Sequence, residues 1–234
     1  MSDVRERLAL ALDVGGPDDA EALARRLAPW FGIAKVGMEL YAEAGPAMIE
    51  HLRALGFAVF ADLKFYDIPN TVERAARAVG RRGVEFLNFP AAGGKAMLEA
   101  GVKGLDDGAR AGGHPSPTAL AVTVLTSEPD TSAFDGRLEA AASAGCGGVV
   151  CSAHEVVAVK ERARGLGTMV PGIRLPGGAH HDQARVATPA DAIGRGADWL
   201  VIGRAVTAAD DPEAAAEAIT RDVADGLARR PRTR

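Results

Sequence analysis

The sequence has little cysteine, few aromatic residues and no long hydrophobic run. Only two cysteines occur among 234 residues, Cys146 and Cys151, and their spacing fits neither a CxxC motif nor a zinc site. Isolated thiols of this kind are typical of a reduced protein, so we expect a cytoplasmic location. No apolar run approaches the roughly 20 residues that a membrane-spanning helix needs. The first run, residues 8–12, is also too short for a signal peptide, and we expect no membrane partner.

A strong excess of one charge is missing as well. Charged residues make up 25% of the chain and the net charge is −4, which argues against a nucleic-acid partner. A phosphorylated substrate would therefore need a local basic site. The hydrophobic content of 47% is enough for one large domain, which we expect to span residues 1–234. Its basic tail, from about residue 229, is interpreted as a solvated end.

Short apolar runs alternate with longer amphipathic segments that are rich in alanine. Several runs are β-branched, as buried parallel strands should be. The runs cover residues 8–12, 33–36, 58–61, 84–89, 119–125, 148–151, 168–170 and 199–202. Eight strand–helix units predict an α/β fold, a single-domain (β/α)₈ TIM barrel. An open doubly wound sheet is the alternative, because periodicity cannot detect closure.

Polar and turn-forming residues recur where the predicted strands end. The carboxyl ends of all strands in a barrel meet at one face, so we expect these residues to share one pocket. In chain order they are Asp13, Lys35, Asp62, Lys64, Thr126, Ser127, Pro171, Arg174, Gly203 and Arg204. Polar residues could merely mark strand ends. That alternative explains poorly two lysines and two aspartates near a barrel mouth, since these residues are rarely buried unless paired.

A cluster of alternating charges is the centre of this pattern. Asp62 and Lys64 are two residues apart, so on one strand their side chains would point the same way. Lys35 on the neighbouring strand is within reach, and Asp67 follows just past the strand end. A lysine held protonated by carboxylates can donate its proton to a developing carbanion, so the array suits proton delivery. A salt-bridge network that only stabilises the barrel is the alternative.

The last two predicted strands lead into residues that suit phosphate binding. Loops after strands seven and eight are the usual phosphate site of this fold. Gly203 allows close approach of backbone N–H groups, and Arg204 supplies a bidentate cation. Arg174 and Gln183 flank a segment rich in proline and glycine that suits a lid, and could grip the phosphate when it closes. The pair at residues 180–181, two histidines, has no evident third partner, so we predict no metal site.

These residues match a known family. The chain resembles orotidine 5′-phosphate decarboxylase over residues 9–13, 35–40, 62–71, 122–127, 170–174, 182–183 and 203–204. An Asp-x-Lys motif alone is shared with related sugar-phosphate decarboxylases and aldolases. The longer string at residues 62–71, DLKFYDIPNT, is much more specific to the orotidylate enzyme.

The resemblance implies decarboxylation of orotidine 5′-phosphate to uridine 5′-phosphate in pyrimidine synthesis, without metal or cofactor. Lys64 would protonate ring carbon 6 after carbon dioxide leaves, and Asp62 would press against the substrate carboxylate. Lys35 would hold the array together and touch the ribose. The other implied substrate contacts are to a ribose hydroxyl (Asp13), the pyrimidine (Thr126, Ser127) and the phosphate end (Pro171, Arg174, Gln183, Gly203, Arg204).

The resemblance also implies a homodimer with shared active sites. In this family the residues that match Asp67, Ile68 and Thr71 enter the neighbouring subunit's site. Three positions depart from the usual pattern, with consequences expected for packing and dimer contacts and not for the reaction: Tyr66, Pro90 and Ala184.

Two other functions stay open from the residues alone. A magnesium-dependent sugar-phosphate decarboxylase or aldolase would also use Asp62 and Lys64. It would need a further acidic metal ligand, for which Glu39 and Glu85 are the candidates. A non-catalytic barrel that binds a nucleotide is the third interpretation.

Overall fold

The computed structural model describes residues 2–128, 130–175 and 187–230. Within them, eight parallel strands follow one another around a closed barrel in chain order. They are β1 (Leu8–Ala11), β2 (Ile33–Gly37), β3 (Ala58–Asp62), β4 (Phe86–Pro90), β5 (Thr118–Val122), β6 (Gly148–Val150), β7 (Gly167–Val170) and β8 (Trp199–Ile202). The predicted TIM barrel is confirmed. The open sheet is wrong, because β1 pairs with β8 as well as with β2.

Helices cover the outside of the barrel between successive strands. They are α1 (Ser2–Arg5), α2 (Pro17–Leu27), α3 (Met38–Ala44), α4 (Ala47–Ala54), α5 (Pro69–Gly80), α6 (Gly94–Ala111), α7 (Phe134–Ser143), α8 (Val156–Arg162), α9 (Pro189–Gly194), α10 (Arg204–Thr207) and α11 (Pro212–Arg229), with a 3₁₀ turn at Ala91–Gly93. In the described part of the chain, every helix is too short or too polar to cross a membrane.

The side chains of each strand alternate between two apolar layers. Residues that point inward form a small core inside the barrel, in which Phe86 packs edge-on against Phe60 and Trp199 with ring centroids 6.2 and 4.9 Å away. Residues that point outward join the helices in a larger core around the barrel. This double burial explains why the strands read as continuous apolar runs.

Helices α5 and α6 pack with their backbones almost in contact. A Cβ atom built on Gly104 would lie 2.1 Å from the carbonyl oxygen of Glu73, and one on Gly108 would lie 2.2 Å from that of Arg77. Glycine is therefore required along this face of α6. The close packing anchors α5, whose first residue, Pro69, directly follows the segment that carries Asp67 and Ile68.

The basic tail is only partly as predicted. Helix α11 continues to Arg229, and the guanidinium Nε of Arg230 donates a hydrogen bond of 2.7 Å to the carbonyl oxygen of Ile193. Arg230 is thus held against α9 and is partly buried. Residues 231–234 lie outside the described ranges.

The packing of α5 against α6 yields a stability prediction. Gly104→Ala should lower the free energy of unfolding by about 1–3 kcal/mol, because the new methyl group overlaps the Glu73 carbonyl. The matched control is Gly136→Ala in α7, where a Cβ would meet no atom within 4 Å. It should stabilise by about 0.5–1 kcal/mol through helix propensity. Urea denaturation measures both. Equal effects of the two substitutions would contradict the backbone contact.

Candidate active site

A cavity of about 490 Å³ opens at the carboxyl ends of the barrel strands. Its floor is apolar and includes Phe60, Val150 and Val201, while its walls carry charged and polar groups. Ten residues expected at the site line it: Asp13, Lys35, Asp62, Lys64, Thr126, Ser127, Pro171, Arg174, Gly203 and Arg204. Converging strand ends therefore do bring these distant positions together.

The strand register places the first charged residues side by side. Lys35 on β2 is aligned between Ala11 on β1 and Phe60 on β3, and Gly37, two residues later on the same strand, is aligned with Asp62. Lys35 is 6% exposed, so its ammonium group is largely removed from solvent. A buried ammonium needs opposite charges close by.

Two carboxylates supply those charges. Lys35 Nζ donates a hydrogen bond of 2.8 Å to Asp13 Oδ1 and lies 3.4 Å from Asp62 Oδ2. Lys64 Nζ donates a hydrogen bond of 2.5 Å to Asp62 Oδ1. The charges therefore alternate as Asp13, Lys35, Asp62 and Lys64, which we call the charged array. It has no net charge when all four groups are ionised.

Asp62 stays ionised in this array. Burial alone would raise the pKa of its carboxyl, but the positive charges of Lys35 and Lys64 and the hydrogen bonds from Lys64 and Asn88 outweigh burial. The result is a pKa below the ordinary value for aspartate. A carboxylate is therefore present at neutral pH, facing the cavity.

Lys64 reaches Asp62 for a different reason than expected. Strand β3 ends at Asp62, so Lys64 lies beyond the strand and strand alternation does not direct its side chain. Its φ is 50°, a left-handed conformation that no other non-glycine residue adopts within the described ranges. The chain turns at Lys64 and brings the ammonium back over the end of β3.

Asn88 on β4 is the residue that sequence reasoning missed. Its side chain is 1% exposed, its Nδ2 donates a hydrogen bond of 2.6 Å to Asp62 Oδ1, and its Oδ1 accepts one of 2.8 Å from the Lys64 backbone N–H. The available signal was an amide inside an otherwise apolar strand, since a buried asparagine needs partners.

The residues expected from the next loop lie elsewhere. Asp67, Ile68 and Thr71 are exposed and outside the lining of the cavity. Asp67 Oδ1 accepts a hydrogen bond of 2.6 Å from the Ile68 backbone N–H. The charge pattern predicted Asp67 as the second aspartate of the array. Within one chain that aspartate is Asp13.

The β7–β8 side of the cavity carries two arginines. Arg174 is nearly buried, and its Nη1 donates a hydrogen bond of 2.8 Å to the carbonyl oxygen of Ile173. Gly203 follows β8, and Arg204 begins α10 as an exposed residue. Gln183, Ala184 and the histidines at 180–181 lie outside the described residues.

The two candidate metal ligands do not meet at the cavity. Glu85 precedes β4, at the amino ends of the strands, on the face of the barrel opposite the cavity. Glu39 is exposed on α3 and is not part of the cavity lining. Among the described residues, no group of three His, Cys, Asp or Glu side chains is placed to hold a metal ion. Neither glutamate therefore supplies the additional metal ligand that a magnesium-dependent site would need.

Comparison with known proteins gives one consistent family. The family described as orotidine 5′-phosphate decarboxylase / HUMPS matches residues 6–219. Orotidine 5′-phosphate decarboxylase from Moorella thermoacetica is 44% identical, with 94% of this chain and 92% of the relative covered. The enzyme of that name from Anaeromyxobacter sp. (strain K) is 48% identical, with 92% and 96% covered.

Solved structures agree with this result. The crystal structure of orotidine 5′-phosphate decarboxylase from Lactobacillus acidophilus superimposes with a TM-score of 0.75 at 35% identity, covering 93% of this chain and 99% of that one. An uncharacterized conserved protein from Geobacillus kaustophilus superimposes with a TM-score of 0.78 at 34% identity, covering 92% and 99%. The matches therefore extend over the whole barrel.

The ionised Asp62 gives a testable pH dependence of stability. Its pKa is lowered in the folded protein, so its contribution to stability is present above the unfolded value of about 4 and is lost as the pH falls through the folded pKa. Asp62→Asn should therefore cost of the order of 2 kcal/mol in unfolding free energy near pH 7. The difference from wild type should shrink in acid below about pH 4. Urea denaturation across this pH range measures it.

The control for this experiment is Asp225→Asn, which changes an exposed carboxylate on α11. Its effect should stay small at every pH. A difference between wild type and Asp62→Asn that is the same at pH 3 and pH 7 would show that the ionised carboxylate is not the stabilising species.

Proposed function

The chain belongs to the orotidine 5′-phosphate decarboxylase / HUMPS family, and we propose that its cavity converts orotidine 5′-phosphate to uridine 5′-phosphate and carbon dioxide. The observation that carries the proposal is the charged array of Asp13, Lys35, Asp62 and Lys64 on one side of the cavity. Arg174 and Arg204 line the β7–β8 side, where a phosphate would bind.

The chemistry proposed for the array needs one proton and no external electrons. The bond between ring carbon 6 and the carboxylate breaks, carbon dioxide leaves, and the electron pair stays on carbon 6. Lys64 then transfers a proton from Nζ to carbon 6 and regains one from water. The Asp62 carboxylate accepts a hydrogen bond of 2.5 Å from the Lys64 ammonium and so keeps this proton donor in position.

Asp62 has a second proposed part in the reaction. Because its carboxylate is ionised, a substrate carboxylate placed beside it would be repelled. Two unit charges about 4 Å apart interact by roughly 4 kcal/mol at an effective dielectric constant of 20. That repulsion disappears when neutral carbon dioxide leaves. The interaction therefore raises the ground state more than the transition state, which accelerates the step.

The remaining residues are proposed to hold the substrate. Lys35 and Asp13, joined by their hydrogen bond of 2.8 Å, would bind the ribose, and Thr126 and Ser127 would contact the pyrimidine. The phosphate end would be held by the residues of the β7–β8 side: Pro171, Arg174, Gly203, Arg204 and, outside the described ranges, Gln183. The apolar floor around Phe60 would exclude water beneath the ring.

We propose that the reaction uses neither metal nor cofactor. The proton comes from Lys64, and the substrate ring itself carries the electron pair. We also propose that residues 1–234 form a single domain and that the protein works in the cytoplasm. The closed barrel that the described residues form between β1 and α11 supports the single domain.

A homodimer with shared sites is proposed from the surface beside the cavity. Asp67, Ile68 and Thr71 are exposed, so they are available to a second copy of the chain. Met38, Tyr66 and Ile68 are at least 60% exposed, although all three are large apolar side chains. Large exposed apolar side chains close to a site are characteristic of interfaces.

The direct test is loss of the orotate absorbance when the purified protein meets orotidine 5′-phosphate near neutral pH with a chelator present. Turnover should continue in the chelator. Lys64→Ala should lower kcat at least 1000-fold (of the order of a lost proton donor) while uridine 5′-phosphate still binds. Unchanged absorbance with the wild type would refute the proposed function. Substantial residual turnover in the variant would remove Lys64 as the proton donor.

Mixed dimers test whether Asp67 acts in the partner's site. Asp67→Asn and Lys64→Ala chains should each be nearly inactive alone. In a mixed dimer one site carries both changes and the other carries neither, so an equal mixture should recover about a quarter of the wild-type rate. Mixing Asp62→Asn with Lys64→Ala is the control and should recover nothing, because both residues belong to the same chain's array. Equal results for the two mixtures would contradict shared sites.

A further inference from the structure

Both polar atoms of the Asn88 side chain form hydrogen bonds at the edge of the charged array, although Asn88 is not part of the cavity lining. Its Nδ2 donates to Asp62 Oδ1 at 2.6 Å, and its Oδ1 accepts from the Lys64 backbone N–H at 2.8 Å. The opposite orientation of the amide would set its oxygen against a carboxylate and its NH₂ group against an N–H. The two partners therefore fix which way the amide points.

Asn88 accepts hydrogen bonds from the chain just past the point where the regular pairing of β3 with β4 ends. The register between β3 and β4 ends where Ala61 is aligned with Leu87. Past this point the Lys64 backbone N–H bonds to the Asn88 side chain, and the Phe65 N–H donates to the Asn88 carbonyl oxygen at 3.3 Å. One residue of β4 thus receives the backbone N–H groups of both Lys64 and Phe65.

These bonds hold Lys64 in its left-handed conformation. A φ of 50° is disfavoured for lysine, because its Cβ crowds the following carbonyl group. Such a conformation persists only when the surroundings determine it. Without the Asn88 acceptor, the chain at Lys64 would be free to return to an extended conformation, and the ammonium would leave its place above Asp62.

Asn88 also fixes the carboxylate of Asp62. Oδ1 accepts from Lys64 Nζ at 2.5 Å and from Asn88 Nδ2 at 2.6 Å, while Oδ2 faces Lys35 Nζ at 3.4 Å. Two hydrogen bonds to Oδ1 and a cation beside Oδ2 together restrict rotation about the bond between Cβ and the carboxyl carbon. Asn88 is the one uncharged member of this set.

We propose that Asn88 is a positioning residue for the decarboxylation proposed above, fixing the Lys64 backbone and the Asp62 carboxylate before substrate binds. This inference rests on the proposed function. It concerns the placement of the two groups that act on carbon 6, and not substrate binding, since the phosphate side of the cavity belongs to β7 and β8. It therefore predicts a loss of kcat that is larger than any change in KM.

Two substitutions separate the two hydrogen bonds of Asn88. Asn88→Ala removes both, and kcat should fall roughly tenfold to 100-fold, as for a displacement of about 1 Å. Binding of uridine 5′-phosphate and KM should stay within about threefold of wild type. Asn88→Asp keeps an acceptor for the Lys64 N–H but sets a second carboxylate against Asp62. It should be at least as slow as Asn88→Ala near neutral pH.

The pH dependence gives a signature that a merely structural role would not produce. The groups that face Asp62 are Lys35 from β2, which also holds Asp13, and Lys64 after β3. In Asn88→Asp, protonation of the new carboxyl restores a donor toward Asp62, so its kcat relative to wild type should rise as the pH falls. Asn88→Ala should show the reverse, because Asp62 has lost a donor that lowers its pKa.

Thr123→Val is the matched control. Thr123 follows β5, is also 1% exposed, and its Oγ1 donates to the carbonyl oxygen of Val150 at 3.1 Å. Its loss should destabilise the fold without changing kcat. Urea denaturation of all variants shows that each folds, and kinetics are measured well below each midpoint.

The outcomes distinguish this inference from the function on which it rests. If the wild type is active and both Asn88 variants keep its kcat and pH profile, the inference about Asn88 is overturned and the proposed function stands. It is also overturned if Thr123→Val loses kcat as well, and if the loss of kcat per kcal/mol of lost unfolding free energy is the same for it as for the Asn88 variants. The loss of kcat would then reflect lower stability and not lost positioning. An inactive wild type would refute the proposed function, and the inference with it.

Discussion

The structure of the site depends on the burial of the Lys35 ammonium inside the mouth of the barrel. Removing an ammonium from water costs several kcal/mol, so a carboxylate must be close. Asp13 and Asp62 meet that requirement from the two neighbouring strand ends. Asp62 is then itself a buried carboxylate, and it is held ionised by Lys35, Lys64 and Asn88. The two least exposed members, Lys35 and Asp62, therefore depend on each other and on the more exposed Asp13 and Lys64 at either end of the array.

The order of the strands around the barrel makes this dependence possible. The first four strands each contribute one group in order: Asp13 after β1, Lys35 on β2, Asp62 at the end of β3 and Asn88 on β4. The residues that suit a phosphate follow β7 and β8, on the other side of the same cavity. A substrate that carries its reacting centre and its phosphate at opposite ends would therefore meet two separate surfaces of one cavity.

Much of this could be predicted from the sequence, because it follows from local pattern. Apolar runs located the eight strands, and residues after those runs proved to line the cavity. The position of Lys64 was predicted for the wrong reason: strand alternation suggested that it shares a direction with Asp62, whereas a left-handed turn brings it there. Nothing local marks that turn, since the residue is not glycine.

Local pattern could single out Asn88 but not its role. An amide inside an apolar strand indicates buried partners, but these partners are 24 and 26 positions away. Only the register of β3 against β4 shows that the side chain meets the end of the preceding strand. The predicted role of Asp67 depends on a second chain, which is beyond both local pattern and single-chain geometry.

Gly37 shows how far the array constrains residues that carry no charge. A Cβ at this position would lie 2.7 Å from Asp13 Oδ1 and 3.2 Å from Lys35 Nζ. The Asp13 carboxylate occupies the space that a side chain at the end of β2 would need. Short distances between opposite charges stabilise the array, and a methyl group at position 37 would displace the Asp13 carboxylate from its place beside Lys35. The ion pair of Lys35 with Asp13 therefore constrains position 37 sterically, and the Asp62 carboxylate constrains position 88 through its hydrogen bond with the Asn88 amide.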